Sequence, residues 1–316
     1  MLLIYLSRVI DGLSGGNIST AQAYISDVTT HENRAKGMGL LGAAFGIGFA
    51  TGPAIGGLLG AAHPSLPAFL AAALSTAAMC LTWLRLPESR VHHEAEAEAW
   101  LHPSRFAPAF RNPLLAQLLL VGFLSMAGFV MLETSAALFL NRPETFSWGP
   151  GRVGGYFAFI GVVIVIVQGR LIGRLSKSIG DWPLAIVGPI GVALGMVAMI
   201  AVGYHPSLVV LFLGAAVNAT GRSLQSPTLY ALISKASDRR QQGMVFGLNQ
   251  GLSSLARVIG PVIAGAVFAR AITGPYIVAG IIAMITFAWT GLLAARYATS
   301  VPAESPAIAT PEPEQI

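Results

Sequence analysis

Five ionisable side chains stand deep inside stretches that are otherwise apolar: Arg8, Asp11, Glu133, Arg222 and Arg257. A charge among aliphatic residues is costly, so each marks a place where it is paired, hydrated, or used to hold an ion. Arg8 and Asp11 are three residues apart and share one helix face; they either neutralise each other or line a polar path. Glu133, in "VMLETSAALF", has no partner of opposite sign in its own stretch. A carboxyl in low dielectric has its protonated form favoured, so Glu133 is a candidate proton or cation site, the alternative being a place near the outer interface. Asn218, Arg222 and Gln225 fall on one helical face, and Gln250, Ser254 and Arg257 on another. Two such polar stripes read either as the walls of a water-filled substrate path or as an interhelical hydrogen-bond network.

The elements that must hold these residues are membrane spans. The chain is 54% hydrophobic and 10% charged, with a mean hydropathy of +0.68, whereas soluble domains carry about a quarter charged residues. Nine apolar stretches are each long enough to cross about 30 Å of hydrocarbon as a helix: 1–26, 37–60, 66–86, 113–140, 152–173, 182–203, 207–234, 243–268 and 275–296. They show no sustained alternation, which favours helices over a barrel. Lys and Arg cluster in every second connection: Arg34, Lys36; Arg85, Arg90, Arg105, Arg111; Arg170, Arg174, Lys177; Lys235, Arg239, Arg240; and Arg296. The opposite connections carry only Arg142, Arg152 and Arg270. This bias places the C-terminal tail in the cytoplasm and Met1 outside, in a multi-pass protein of the cell membrane. It also accounts for the net charge of +5 without any nucleic-acid partner.

An internal repeat divides the chain. "RAKGM" at 34–38 leads into a span ending "GPAIGG", and "RQQGM" at 240–244 leads into one ending "GPVIAG". The copies lie six spans apart, so the architecture repeats in units of six helices. The polar connection 87–112 is the seam. Residues 1–86 are expected to form the last three helices of an N-terminal unit, 87–112 a cytoplasmic linker, 113–297 a complete C-terminal unit, and 298–316, rich in Pro and Glu, a disordered tail.

These features resemble the major facilitator superfamily, in particular its drug:proton antiporter branch of tetracycline and multidrug efflux proteins. The branch's antiporter signature G-x-x-x-G-P-x-x-G-G stands here as Gly48, Gly52, Pro53, Gly56 and Gly57, without a mismatch. "RVIDGLSGGNISTAQAYISDVT", with Arg8 and Gly12, resembles the signature of the family's fourth helix, and "LPESR" at 86–90 resembles the end of its first bundle. The resemblance implies an all-α membrane bundle with about nine of an expected twelve transmembrane helices, about three being absent from the N-terminus. It implies a secondary active transporter coupling protons to efflux of a small amphipathic compound, with lipid, protons and substrate as partners. The alternatives are a proton-coupled uptake symporter for a sugar or organic anion, to which Arg222 and Arg257 are suited, and a non-transporting fragment. The family's G-x-x-x-D-R gating signature has a counterpart in "GRLIGRLSKSIGD", with Gly169, Arg174 and Lys177 in place but Gly173 where the acid belongs.

Gly48, Gly52, Gly56 and Gly60 recur every four residues, so they expose backbone along one face and would let a neighbouring helix approach closely. Pro53 bends that helix. The face serves either as a static contact or as a surface on which two bundles rock. No cofactor or metal is expected: Cys80 is the sole cysteine and the six His lack ligand spacing. No phosphate-binding G-x-x-x-x-G-K-[ST] run occurs, which argues against an ATP-driven pump, and the chain reads as no enzyme.

Overall fold

A backbone removed from water must satisfy its own hydrogen bonds, and the apolar stretches do so as helices. The computed structural model of the chain describes residues 17–28, 40–41, 44, 47–48, 51–52, 55–60, 62–63, 65–87, 111–237 and 242–298, together with Leu6 and Ile10. The regular elements are α1 (Asn17–Val28), α2 (Leu66–Arg85), α3 (Pro113–Asn141), α4 (Pro150–Ile179), α5 (Asp181–Tyr204), α6 (Leu208–Ala236), α7 (Gln242–Phe268) and α8 (Gly274–Tyr297). Seven of them, α2 to α8, are long and apolar enough to cross a membrane. They coincide with the last seven of the nine expected spans. The first two expected spans, most of the linker and the tail lie largely or wholly outside the described residues, as do Arg8, Asp11 and Pro53.

Local chemistry sets the helix ends. Pro occupies the first turn of α2, α3, α4 and α8, where its missing N–H removes no helical bond. Asn112 caps α3: its side-chain oxygen accepts from the N–H groups of Leu114 and Leu115 at 3.1 and 3.3 Å. Its amide donates to the Ala236 carbonyl at 2.9 Å, which ties the start of α3 to the end of α6. Gly180, at φ +89°, makes the reversal between α4 and α5 in a conformation that side chains disfavour. Beside it Asp181 accepts from Ser176 Oγ and pairs with Lys235 Nζ at 2.9 Å, joining three helices at one end of the bundle.

The expected end of the span 152–173 needs correction. "GRLIGRLSKSIG" is not a loop: α4 passes through a π-turn at Val167–Leu171 and continues as helix to Ile179. Charge density made the segment read as a connection, but Ile172 and Leu175 keep a half-buried apolar stripe that holds it against the bundle. The gating-loop candidates therefore sit on helix, Gly169 in the π-turn and Arg174 and Lys177 in the turns after it.

Two apolar cores form the ends of the bundle. One gathers Met131, Phe139, Tyr156, Met196, Leu211 and Tyr276 from α3, α4, α5, α6 and α8. The other gathers Leu118, Val121, Ala185, Leu232, Val245 and Leu293. Outside them the surface is apolar too: Phe69, Trp83, Val197, Val262 and Leu292 are exposed, as suits contact with lipid. α2 has no buried residue, and α1 lies against α7.

The closest helix contact joins α5 and α6. A Cβ on Gly188 would stand 2.7 Å from the Gly221 carbonyl oxygen and from Gln225 Cβ, and one on Gly191 would stand 2.9 Å from Gly221 Cα. Gly195 lies against Asn218, and Gly214 against Ala198. Without Cβ atoms the two backbones touch, which is how membrane helices gain dispersion contact when burial from water offers nothing. The neighbours here are backbone atoms that have little freedom to move aside. Gly191→Leu should therefore cost more than the roughly 1–3 kcal/mol of ordinary overpacking. The check is thermal unfolding in detergent, with Gly173→Leu as control because a Cβ there meets nothing within 4 Å; equal melting temperatures for the two variants would contradict the contact.

Candidate functional site

Between the two apolar cores lies a polar belt at mid-depth, built on α3, α6 and α7. Its position follows from the glycine contact: with Gly214, Asn218, Gly221 and Gln225 turned toward α5, Arg222 is rotated by about 100° toward α3. Arg222 Nη1 donates to the Ser125 carbonyl oxygen at 2.9 Å and Nη2 approaches the Met126 sulfur at 3.3 Å. The guanidinium lies 4.5 Å from the centre of the Phe129 ring, a cation–π contact. Gln225 Nε2 donates to Ser125 Oγ at 2.8 Å, and Asn218 Nδ2 to the Val192 carbonyl on α5 at 3.2 Å.

Two clefts flank Arg222. One is lined by Ser125, Phe129, Asn218, Gln225 and Thr286, among others, and the second by Ser125, Gln225, Tyr230, Asn249 and Ser253, among others. Asn249 is buried at 5% exposure and its side-chain oxygen lies 3.3 Å from where a Cβ of Gly122 would be. Gly260 meets Val130 Cγ1 at 3.0 Å on the same scale, so α3 and α7 run side by side in the same direction.

The sequence-derived candidates are placed as follows. Asn218, Arg222 and Gln225 converge on the belt, where they make interhelical hydrogen bonds and also line the clefts. Gln250, Ser254 and Arg257 do not line either cleft: Gln250 is half-buried, and Ser254 and Arg257 are exposed. The residues one position earlier on α7, Asn249 and Ser253, face the cleft instead. Their signal was present in the sequence as Asn249, Ser253 and Ala256, spaced by four and three, with Ala256 fully buried. Ser125, Tyr230 and Thr286 were also missed, because single hydroxyls in long apolar stretches carry no charge signal.

Glu133 lies on the stripe Met126, Phe129, Glu133, spaced by three and four, so it stands one turn beyond the ring that Arg222 covers. It is half-buried and makes no hydrogen bond or ion pair among the described residues. Its charge attracts Arg222, while that of Arg257 opposes it. Three of the five sequence-derived charges thus act on one another around the middle of α3.

Among the described residues, a Cβ on Gly48, Gly52 or Gly56 would meet nothing within 4 Å, and one on Gly60 would meet Pro67 at 3.8 Å. Gly57 alone among the motif glycines nears another helix, at 3.4 Å from the Pro150 carbonyl oxygen. The second copy of the repeat does make a close contact: Gly260 of α7 stands against Val130 of α3.

Among the described residues, then, a charged, polar belt lies in the middle of a bundle of helices long and apolar enough to cross a membrane. Comparison with known proteins gives the family. The Major Facilitator Superfamily profile matches residues 1–204 and, overlapping them, 171–314. The chain belongs to that superfamily. It is 30% identical over 275 residues to the class C tetracycline resistance protein of Escherichia coli, covering 84% of this chain and 66% of that protein. It is 28% identical over 292 residues to multidrug resistance protein 2 of Bacillus subtilis (strain 168), covering 90% of this chain and 70% of that one. Among solved structures, the human organic anion transporter MFSD10 (TETRAN) superposes with a TM-score of 0.73 at 25% identity, over 90% of this chain and 70% of that chain. The chain thus spans about two thirds of the length of these relatives.

The hydrogen-bond partners separate structural from exposed polar residues. Asn218→Ala removes an interhelical bond and should lower stability by about 0.5–1.5 kcal/mol. Ser254→Ala, at an exposed position, should stay within about 0.5 kcal/mol. Unfolding of the two variants in the same detergent measures both; a larger loss for Ser254→Ala would contradict the placement of α7.

Proposed function

We propose that the protein is a secondary active transporter of the cell membrane that exports a small amphipathic compound, tetracycline-like or of the multidrug type, in exchange for protons. The observation that carries the reading is Glu133: a carboxyl on a membrane-spanning helix, half-buried, free of hydrogen bonds among the described residues, and within the field of Arg222. Such a group can change protonation with its surroundings, whereas a carboxylate locked in an ion pair cannot do so as readily. The names of the tetracycline and multidrug resistance relatives support the class of compound. Asp11 is the second candidate acid and Arg8 a candidate for the substrate path.

Coupling follows from linkage. If the state facing the cytoplasm and the state facing outside differ in how well they hold the Glu133 proton, the proton gradient shifts their populations, and a substrate that binds the deprotonated state moves the opposite way. The rocking of residues 1–86 against 113–297 supplies the two states, with 87–112 as cytoplasmic linker and 298–316 as tail. In this reading the ladder of Gly48, Gly52, Pro53, Gly56 and Gly57 serves as the contact that forms and breaks, and Gly169, Arg174 and Lys177 guard the cytoplasmic end.

Glu133→Gln imitates a permanent proton. It should leave the protein folded and membrane-inserted while reducing gradient-driven accumulation of tetracycline or ethidium in everted vesicles to the background leak. Glu133→Asp should keep part of it, since the ionisable group is retained with a shorter reach. Normal rates and normal pH dependence in Glu133→Gln would move coupling to another acid, and no gradient-driven movement by the unaltered chain would sink the reading.

A further inference from the structure

α4 is longer than a membrane needs. No charge stands between Arg152 and Arg170, and the helix covers about 27 Å between them, close to the thickness of the hydrocarbon layer. The remaining turns, Arg170 to Ile179, therefore reach the level of the headgroups, on the side that the Lys and Arg bias makes cytoplasmic. There Arg170, Arg174 and Lys177 follow one another at spacings of four and three, so they share one helix face. All three are exposed, and none makes a hydrogen bond or ion pair among the described residues. Other cations at this end are answered: Lys235 pairs with Asp181 at 2.9 Å, and Arg296 lies 5.4 Å from the centre of the Tyr297 ring. The acid beside the face, Asp181, is already committed to Ser176 and Lys235. Ile172 and Leu175 hold the other side of the helix half-buried, while Leu171, next to Arg170, is 43% exposed.

We propose that Arg170, Arg174 and Lys177 bind the phosphodiester headgroup of an anionic phospholipid in the cytoplasmic leaflet, with Leu171 against its acyl chains. Charge complementarity carries the inference. The planar forks of Arg170 and Arg174 match phosphate oxygens, and Lys177 adds a point charge. A dissolved phosphate offers the same oxygens but nothing for Leu171, and it is not held at the depth where α4 leaves the hydrocarbon. Through Ser176 and Asp181 the bound headgroup would also brace the ends of α5 and α6. The inference uses the placement of α4 in a membrane and is independent of what the chain carries.

Contact quenching by matched lipids tests this. Cys80 is the sole cysteine, so a Cys80→Ser background allows Ser178→Cys, exposed and one turn after Arg174, to carry a bimane label. The full chain is placed in phosphatidylcholine nanodiscs containing either phosphatidylglycerol or phosphatidylcholine with a doxyl quencher on the fifth acyl carbon. A cation near the membrane surface is worth roughly fivefold in the binding of an anionic lipid, so half-maximal quenching should need at least about tenfold less of the glycerol lipid. Combining Arg174→Gln with Lys177→Gln should bring the two lipids to near parity, and roughly 1 M salt should do the same without any substitution on the face. Asp181→Asn removes the neighbouring acid and releases Lys235, so it should raise the preference several-fold, a gain that damage to the fold does not produce. Equal quenching by the two lipids, a preference that survives the double substitution, or no rise in Asp181→Asn would each overturn the proposal. Loss of the preference on adding millimolar inorganic phosphate at constant ionic strength would assign the face to a dissolved anion and overturn it as well.

Discussion

The contact of Gly221 with Gly188 and Gly191 is the constraint on which the site depends. In hydrocarbon, two helices gain little from hiding apolar side chains, since lipid is as apolar as they are. They gain from touching, and these glycines let α5 and α6 touch along their backbones. Once that contact is made, the rotation of α6 about its axis is fixed. Asn218 and Gln225 stay on the glycine face, and Arg222, one position after Gly221, is carried round to α3. The guanidinium is thus aimed by residues that have no side chain of their own.

The bundle places this charge where it can be tolerated. Apolar cores close both ends, around Tyr156 and Tyr276 on one side and Leu118 and Leu232 on the other. Between them Ser125 receives both Arg222 and Gln225, one through its carbonyl and one through its hydroxyl. A serine that looks unremarkable in "FLSMAG" is therefore the junction of the belt. Removing polar groups from such a network leaves others without partners, so its members act as a set and not as independent contacts.

The repeated G-P motif illustrates how one pattern can stand in two environments. In the second copy Gly260 packs against Val130, and the close approach that the small residue allows is used. In the first copy the equivalent face is open among the described residues. Small residues mark a face that permits a backbone contact; the contact also needs a helix on the other side. That face was expected to serve either as a static contact or as a surface on which two bundles rock; the filled contact of the second copy joins α7 to α3.

Much of the architecture was legible without coordinates, because a membrane span is a statement about length and hydrophobicity that each segment makes alone. The six helices from α3 to α8 begin and end within a few residues of their expected bounds, except at the C-terminal end of α4. There Arg170, Arg174 and Lys177 suggested a loop, while a π-turn and the apolar stripe of Ile172 and Leu175 continue the helix. The site was legible only in part. Charge within apolar sequence pointed to Glu133, Arg222 and Arg257, since such charge is rare for an energetic reason that needs no structure. Which side of α7 faces the belt was not legible, and Asn249 and Ser253 line it where Gln250 and Ser254 were expected. Helical spacing relates residues on one helix to each other; only packing against α3, through Gly122 and Gly260, sets which of those faces turns inward. The sequence alone determined that spans exist, where they run and which charges they carry. The tertiary structure decided what those charges meet, because that depends on the rotation of each helix, and rotation is fixed by contacts between residues far apart in the chain.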